Sequence, residues 1–462
     1  MKNNKKIFAY LIDAIVMMIN VYYASSLVNA RKMTSALLLV WLVAAVLLYF
    51  YRRDENRRCH LVWMAGAAVG AFAEILWLAG SVYAGYLIAM VMAMFIAIGM
   101  FYSCMMTLSK KRKAEGKRRF FIIIGNIAAV PFILFSAFYL AVAVNPNVLV
   151  KTLQNTVMAA ENSFEPAKAS TQTKLPNSGT YINDICYGEE YPNSYLDVYL
   201  SPVPGEEKPT YVFIHGGGYV WGDKVGGDPN SPSAGMLWYI SEFLNAGYNV
   251  VCPNYCFAPE YTYPTQIVQL NEMLRFLTEQ GDNYGIAMDK VVLGGQSAGG
   301  NIAGMLGVIS TNQQAAEAFH TTGYLTGENL LAVVFSSALI NNEEFTVSHD
   351  KTNDWLFYQC GRAAMSTNEL RGHETARLTN ITAWVDENYP PSYISDGNTG
   401  SFYSQAEVLH EKLDTLNVEN RWNFYPRVTE ILVHGYETEE NSPSARENMQ
   451  ELLNFLNQYI NN

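Results

Sequence analysis

Apolar residues are arranged along this chain in two regimes. Up to about residue 150 they form long unbroken runs, at 7–29, 34–51, 61–81, 83–107 and 120–144. Most of these reach or approach the ~20 residues that a helix needs to cross a bilayer. The pattern therefore predicts an all-α transmembrane region of about five helices over residues 1–150. Beyond residue 180 the runs shorten, become rich in β-branched and aromatic side chains, and alternate with amphipathic stretches. That alternation predicts helices laid over a mostly parallel sheet. Strands are expected at 210–214, 249–253, 290–294, 331–336, 392–395 and 429–433, and helices at 234–244, 266–278, 298–309 and 405–413. After Ser442-Pro443, one face formed by Met449, Leu452, Leu453, Leu456 and Tyr459 marks a last helix. Residues 151–180 lack a sustained period and read as a linker. The domain is then 181–462, with the aromatic-rich segment 343–388 as a cap.

Charge divides the chain at the same place. Residues 1–150 carry sixteen Lys/Arg against five Asp/Glu, and residues 151–462 carry fifteen against thirty-seven. The basic residues of the first piece are unevenly shared between its short connections. Lys2, Lys5 and Lys6, then Arg52, Arg53, Arg57 and Arg58, then Lys110, Lys111, Arg112, Lys113, Lys117, Arg118 and Arg119 fall on one side; Arg31 and Lys32 fall on the other. Basic loops stay in the cytoplasm, so the N-terminus is expected inside and the acidic domain outside. Four further apolar stretches follow the first, which argues against a cleaved leader. Asp13 and Glu74 lie within expected spans, where a carboxyl group must face other helices. The acidic domain excludes nucleic acid as a partner, because phosphates are met by basic surface. The lipid bilayer is the partner expected for the first piece.

The candidate chemistry lies where expected strands end. Val291-Val292-Leu293 leads into Gly295-Gln296-Ser297-Ala298-Gly299 and then into a helical stretch, the setting of a serine on a strand-to-helix elbow. Tyr211-Val212-Phe213-Ile214 leads into His215-Gly216-Gly217-Gly218-Tyr219, a loop able to turn bare N–H groups toward an oxyanion. Asp396 and His434 also follow expected strands, and a ligand in an open α/β sheet binds beyond these carboxyl ends. Ser297 is thus the candidate nucleophile and His434 its general base. Gly217, Gly218 and Ala298 are the candidate oxyanion donors, with His215 and Gly216 supporting the loop. A serine hydroxyl needs such a base at neutral pH.

Taken with Gly222-Asp223, Tyr255-Cys256-Phe257-Ala258-Pro259-Glu260 and His434-Gly435-Tyr436, these motifs resemble the hormone-sensitive-lipase-like esterases of the α/β-hydrolase superfamily over about residues 195–460. The resemblance implies an α/β-hydrolase fold with a cap and hydrolysis of small or medium acyl esters through an acyl-serine, without a cofactor. Two positions depart from the pattern. Cys256 stands where the family usually has Arg, and Gly400 where its acid is expected. Asp396, four residues before Gly400, is the nearest replacement. A carboxylate such as Glu343 or Glu344, or a dyad without an acid, are the alternatives. A triad acid fixes the tautomer of its histidine, and its loss can cost about 10⁴ in rate.

Cys186, Cys252, Cys256 and Cys360 allow three complete pairings, or none if they remain buried thiols. Cysteines and histidines form no tight ligand pairs, so no metal is expected. The glycines around Ser297 lack the Lys-Ser/Thr of a nucleotide loop. The expected protein is a membrane-anchored serine carboxylesterase in the cell membrane. An envelope acyltransferase using the same acyl-serine and a noncatalytic hydrolase-fold receptor are the rivals.

Overall fold

The computed structural model of the chain describes residues 134, 137, 138 and 141–460, apart from 176–178, 206–207, 225–235, 346–347 and 349. The chain divides into two compact units, Met1–Val148 and Leu149–Asn462. The apolar runs expected to cross a bilayer lie outside the described residues, except for the end of the last. Among the described residues no helix is long and apolar enough to cross a membrane.

The second unit is built on a nine-stranded sheet. Its strands are β1 Gln172–Lys174, β2 Thr180–Cys186, β3 Tyr195–Leu200, β4 Thr210–Ile214, β5 Asn249–Pro253, β6 Val291–Gln296, β7 Leu330–Ser336, β8 Ser392–Asp396 and β9 Asn420–Phe424. They lie in the order β1-β2-β3-β5-β4-β6-β7-β8-β9. β1 to β3 pair antiparallel with one another, and β3 pairs antiparallel with β5; from β5 to β9 every pairing is parallel. The central strands β4 and β5 are buried at every position. Strands covered on both faces read as continuous apolar runs rather than as alternation.

The helices are α1 Asn147–Gln154, α2 Ala159–Asn162, α3 Leu237–Asn245, α4 Thr265–Gln280, α5 Ala298–Thr311, α6 Gln313–Ala318, α7 Lys351–Ala364, α8 Glu374–Leu378, α9 Ile381–Trp384, α10 Tyr403–Thr415 and α11 Pro443–Ile460. Tyr239, Ile240 and Phe243 of α3 and Met449, Leu452, Phe455 and Leu456 of α11 form one core with Tyr211, Phe213, Val250, Val292 and Val334. α5 is buried from Ala298 to Ile309, as a helix that is apolar all round must be. α7, α8 and α9 fill the segment between β7 and β8 for which a cap was expected.

Two expectations are corrected. Residues 429–433 form no strand; the last strand is β9, and Val433 makes only an isolated parallel bridge to Thr399. Of the apolar residues that suggested a strand, Ile431 and Val433 are exposed, by 62% and 54%, and only Leu432 is buried. The stretch 151–180 is not wholly linker, because it holds the end of α1, the short α2 and β1, which pairs with β2.

Candidate active site

The end of β6 turns directly into α5 through Ser297, whose backbone stands at φ 56 and ψ −120. A non-glycine residue held there costs about 1–3 kcal/mol and persists only where its surroundings enforce it. Here they are glycines. A Cβ on Gly295 would lie 2.3 Å from the Gly299 carbonyl oxygen, and one on Gly299 would lie 2.2 Å from that of Ile214. Only bare backbone can pass through this crossing, and its result is a serine raised at the strand end.

Four buried or half-buried side chains follow one another from that serine. Ser297 Oγ lies 2.9 Å from His434 Nε2. The other ring nitrogen, Nδ1, lies 2.7 Å from Ser401 Oγ. The Ser401 hydroxyl donates to Asp396 Oδ1. Asp396 is fully buried at the end of β8, and its Oδ2 has no hydrogen-bond partner among the described residues. Asp396 therefore does not touch His434 as the expectation required; Ser401 stands between them. Gly400, next in the chain, is held at φ +63, and a Cβ there would meet Asn353 Nδ2 at 2.5 Å. Glu343 accepts from the N–H of Gly372 and faces Arg377, and the Glu344 carbonyl accepts from Gln405 at 2.7 Å.

A second carboxyl group went unrecognised in the sequence. Glu437, two residues after Gly435, is fully buried and accepts from Ser337 at 3.0 and 2.9 Å and from Ser395 at 3.2 Å. Burial raises it to about 7, against an opposing effect of its hydrogen bonds. Burial and then the nearby Glu437 charge hold Asp396 well above the usual carboxyl range. Burial pushes His434 down to about 4, so its imidazole is neutral at physiological pH. A neutral ring is the form that can take a proton.

The glycine loop lies against the elbow. A Cβ on Gly216 would sit 3.0 Å from the Gln296 carbonyl oxygen and 3.1 Å from Ser297 Cβ. Gly217 at φ 101 and Gly218 at φ 60 adopt conformations that side chains disfavour. The loop is held from behind. His215 is buried, stacks on Tyr255 at 4.3 Å, and donates from Nδ1 to the Gly216 carbonyl at 2.8 Å. The Tyr255 hydroxyl donates to the carbonyls of His215 and Gly216 at 3.0 and 2.9 Å. Burial lowers His215 to about 4, and its Nε2 has no partner among the described residues. The ring therefore braces the loop through Gly216 and Tyr255.

α7 covers both halves of the site. Phe357 lies 5.1 Å from the His434 ring, with Phe402 on another side at 5.3 Å, and a Cβ on Gly218 would lie 3.2 Å from Cys360 Cβ. Together these side chains make an apolar surround for the imidazole. Among the described residues no cluster of three or more His, Cys, Asp or Glu could hold a metal ion. Cys186, Cys252, Cys256 and Cys360 are all free thiols.

Residues 196–413 match the BD-FAE family. The ethyl acetate hydrolase of Pseudomonas putida is 31% identical over 106 residues, 23% of this chain and 30% of that protein. The carboxylesterase NlhH of Mycobacterium tuberculosis is 33% identical over 109 residues, 24% of this chain and 32% of its own. An α/β hydrolase of Acanthamoeba polyphaga mimivirus is 25% identical over 158 residues, 33% of this chain and 41% of its own. The chain thus spans well under half the length of these relatives. Among solved structures, esterase B of Lactobacillus rhamnosis superposes with a TM-score of 0.53 at 20% identity, covering 68% of this chain and 95% of that one. With its mostly parallel sheet and its serine elbow after β6, the unit Leu149–Asn462 has the α/β-hydrolase fold.

Proposed function

We propose that the protein is a serine carboxylesterase of the hormone-sensitive-lipase-like kind, acting on short- or medium-chain acyl esters. The observation that carries the reading is the 2.9 Å contact between Ser297 Oγ, raised on its elbow, and His434 Nε2. Esterase names among the relatives support it, and the ethyl acetate hydrolase favours short acyl groups.

The chemistry follows from the groups present. As Ser297 Oγ attacks the ester carbonyl, its proton passes to His434 Nε2. A bond forms between Oγ and the acyl carbon, and the carbonyl electron pair moves onto oxygen. Backbone N–H groups of Gly217, Gly218 and Ala298 would receive that oxyanion; one such donor is typically worth about 2.7–4 kcal/mol. Collapse breaks the bond to the alcohol oxygen, which leaves with the proton from Nε2. Water then repeats the sequence on the acyl-serine, giving the carboxylic acid and free Ser297.

We further propose that residues 1–150 anchor the enzyme in the cell membrane by about five spans, with segment 343–388 as a cap and the hydrolase domain facing outward. The apolar runs and the bias of basic residues in the sequence support this. Envelope esters are then the substrates within reach.

The test uses the full chain in detergent with p-nitrophenyl acetate, butyrate and octanoate, beside Ser297→Ala. Turnover in the parent and its loss in the variant is the expected result. A parent that folds but neither hydrolyses these esters nor reacts at Ser297 with a fluorophosphonate would be a binding protein. Product appearing mainly on an added alcohol would make it an acyltransferase.

A further inference from the structure

Motif order anticipates nothing between His434 and the buried carboxyl group of Asp396, yet a side chain stands there. Ser401 is fully buried, 2.7 Å from His434 Nδ1, and donates its hydroxyl proton to Asp396 Oδ1. A hydroxyl has one proton and otherwise only lone pairs. With Asp396 ionised that proton is committed to it, and the oxygen presents lone pairs alone to the imidazole. Nδ1 must then carry the ring proton, which leaves Nε2 with its lone pair facing Ser297. That is the tautomer a general base requires.

The residue before Ser401 is a glycine and offers no carboxylate for this contact. Gly400 is held at φ +63, its carbonyl accepts from Asn353 Nδ2 at 2.9 Å, and the amide occupies the space a Cβ would need. A side chain at position 400 would have to move the Asn353 amide aside and hold a left-handed backbone. Asp396, on β8, lies one side chain too far back.

We propose that Ser401 is the positioning residue of this site, taking the place of the carboxylate against His434 and passing the acceptor character of Asp396 to the imidazole through the fixed direction of one hydroxyl. The inference rests on the serine-esterase reading of the same site. During attack the Ser297 proton moves to Nε2 and later leaves with the alcohol. The Nδ1 proton stays on the ring, and neither Ser401 nor Asp396 changes its proton count. A neutral oxygen steadies the imidazolium less than a carboxylate in contact would, because charge-assisted hydrogen bonds are about twice as strong. The enzyme is accordingly expected to be slower than one with a direct triad.

The experiment compares the full chain with Ser401→Ala and Ser401→Thr, all confirmed as folded by thermal melting. Ester hydrolysis, fluorophosphonate labelling of Ser297 and the ¹⁵N shifts of His434, assigned by a His434→Gln variant, are measured on each. Ser401→Ala is expected to lower kcat and the labelling rate on the order of 10²- to 10⁴-fold with KM nearly unchanged, and to move the ring proton away from Nδ1. Ser401→Thr, which keeps the hydroxyl, should restore both rate and tautomer. An active parent whose rate is indifferent to Ser401→Ala, or whose His434 proton sits on Nε2, overturns the inference and leaves the esterase reading standing. A parent without labelling at Ser297 overturns the esterase reading and the inference with it. If Ser401→Ala does not fold, the tautomer in the parent and the rate of Ser401→Thr decide the matter.

Discussion

Asp396 and Glu437 bring two carboxyl groups into the fully buried region behind His434, and their proton inventory governs the base. Glu437 is raised to about 7 by burial, whereas burial lowers His434 to about 4. Asp396 is raised by burial and by the Glu437 charge. Tyr239 and Tyr436 also feel Glu437, but burial raises their hydroxyls and keeps them protonated. The imidazole is therefore ready to accept a proton below the pH at which Glu437 loses its own. An ionised Asp396 can only accept from Ser401. Once protonated it can donate, which frees the Ser401 hydroxyl to turn toward Nδ1 and shifts the ring proton to Nε2, where it opposes attack. Activity should thus fall with falling pH as the carboxyl pair gains a proton. Glu437→Gln removes the neighbouring negative charge, so Asp396 stays ionised to lower pH and the acid limb of kcat/KM should move downward. Profiles of both proteins check this; an identical limb near pH 4 in each would return the titration to His434.

At the scale of elements, α1 reaches the oxyanion loop. Gln154, its last residue, is buried and donates from Nε2 to the carbonyls of Val220 and Ala258, at 2.6 and 3.1 Å. Val220 directly follows the loop His215–Tyr219. Gln154→Ala would leave two buried carbonyls without that donor, at a cost of about 1–3 kcal/mol. A lower urea midpoint is expected, together with slower fluorophosphonate labelling as the loop loosens; an unchanged midpoint would show that α1 is dispensable. This contact was invisible in the sequence, where 151–180 has no period. β4 to β7 were legible because both faces are covered and apolar residues run together, and β8, with only Tyr393 and Ile394 between its polar residues, is equally buried. β2 and β3 carry Asn183, Asp184 and Asp197 among their residues, and β9 is only partly buried, so none of them stands out. Residues 429–433 misled for the opposite reason, since Ile431 and Val433 are apolar but exposed and only Leu432 is buried. Ser297, His434 and the glycine loop carry local motifs. Ser401 does not, because a serine after a glycine acquires meaning only when the fold sets His434 on one side of it and β8 on the other.

For the whole molecule, the proposed anchor would make the side of the membrane on which Ser297 sits determine which esters it can meet. Five crossings with the N-terminus inside put the acidic unit outside; four or six put it in the cytoplasm. The thiols provide a way to tell. Cys186 is exposed, whereas Cys252, Cys256 and Cys360 are buried. Burial pushes Cys256 and Cys360 to about 12 and Cys252 well above its ordinary value, so these thiols lack the thiolate that alkylation needs. Cys186 is the one exposed thiol among the described residues. A membrane-impermeant maleimide added to intact cells should therefore label the protein, and Cys186→Ser should abolish that label. Labelling that appears only after lysis would put the hydrolase unit in the cytoplasm and make the number of crossings even. The charge of the unit gives the outward reading a physical sense. A domain with thirty-seven acidic residues against fifteen basic is repelled by the anionic inner leaflet, which would keep an inward-facing site away from the lipid beside its own anchor. Facing outward, the same surface stands clear of that leaflet and leaves the site open to neutral esters arriving from solution or from the envelope.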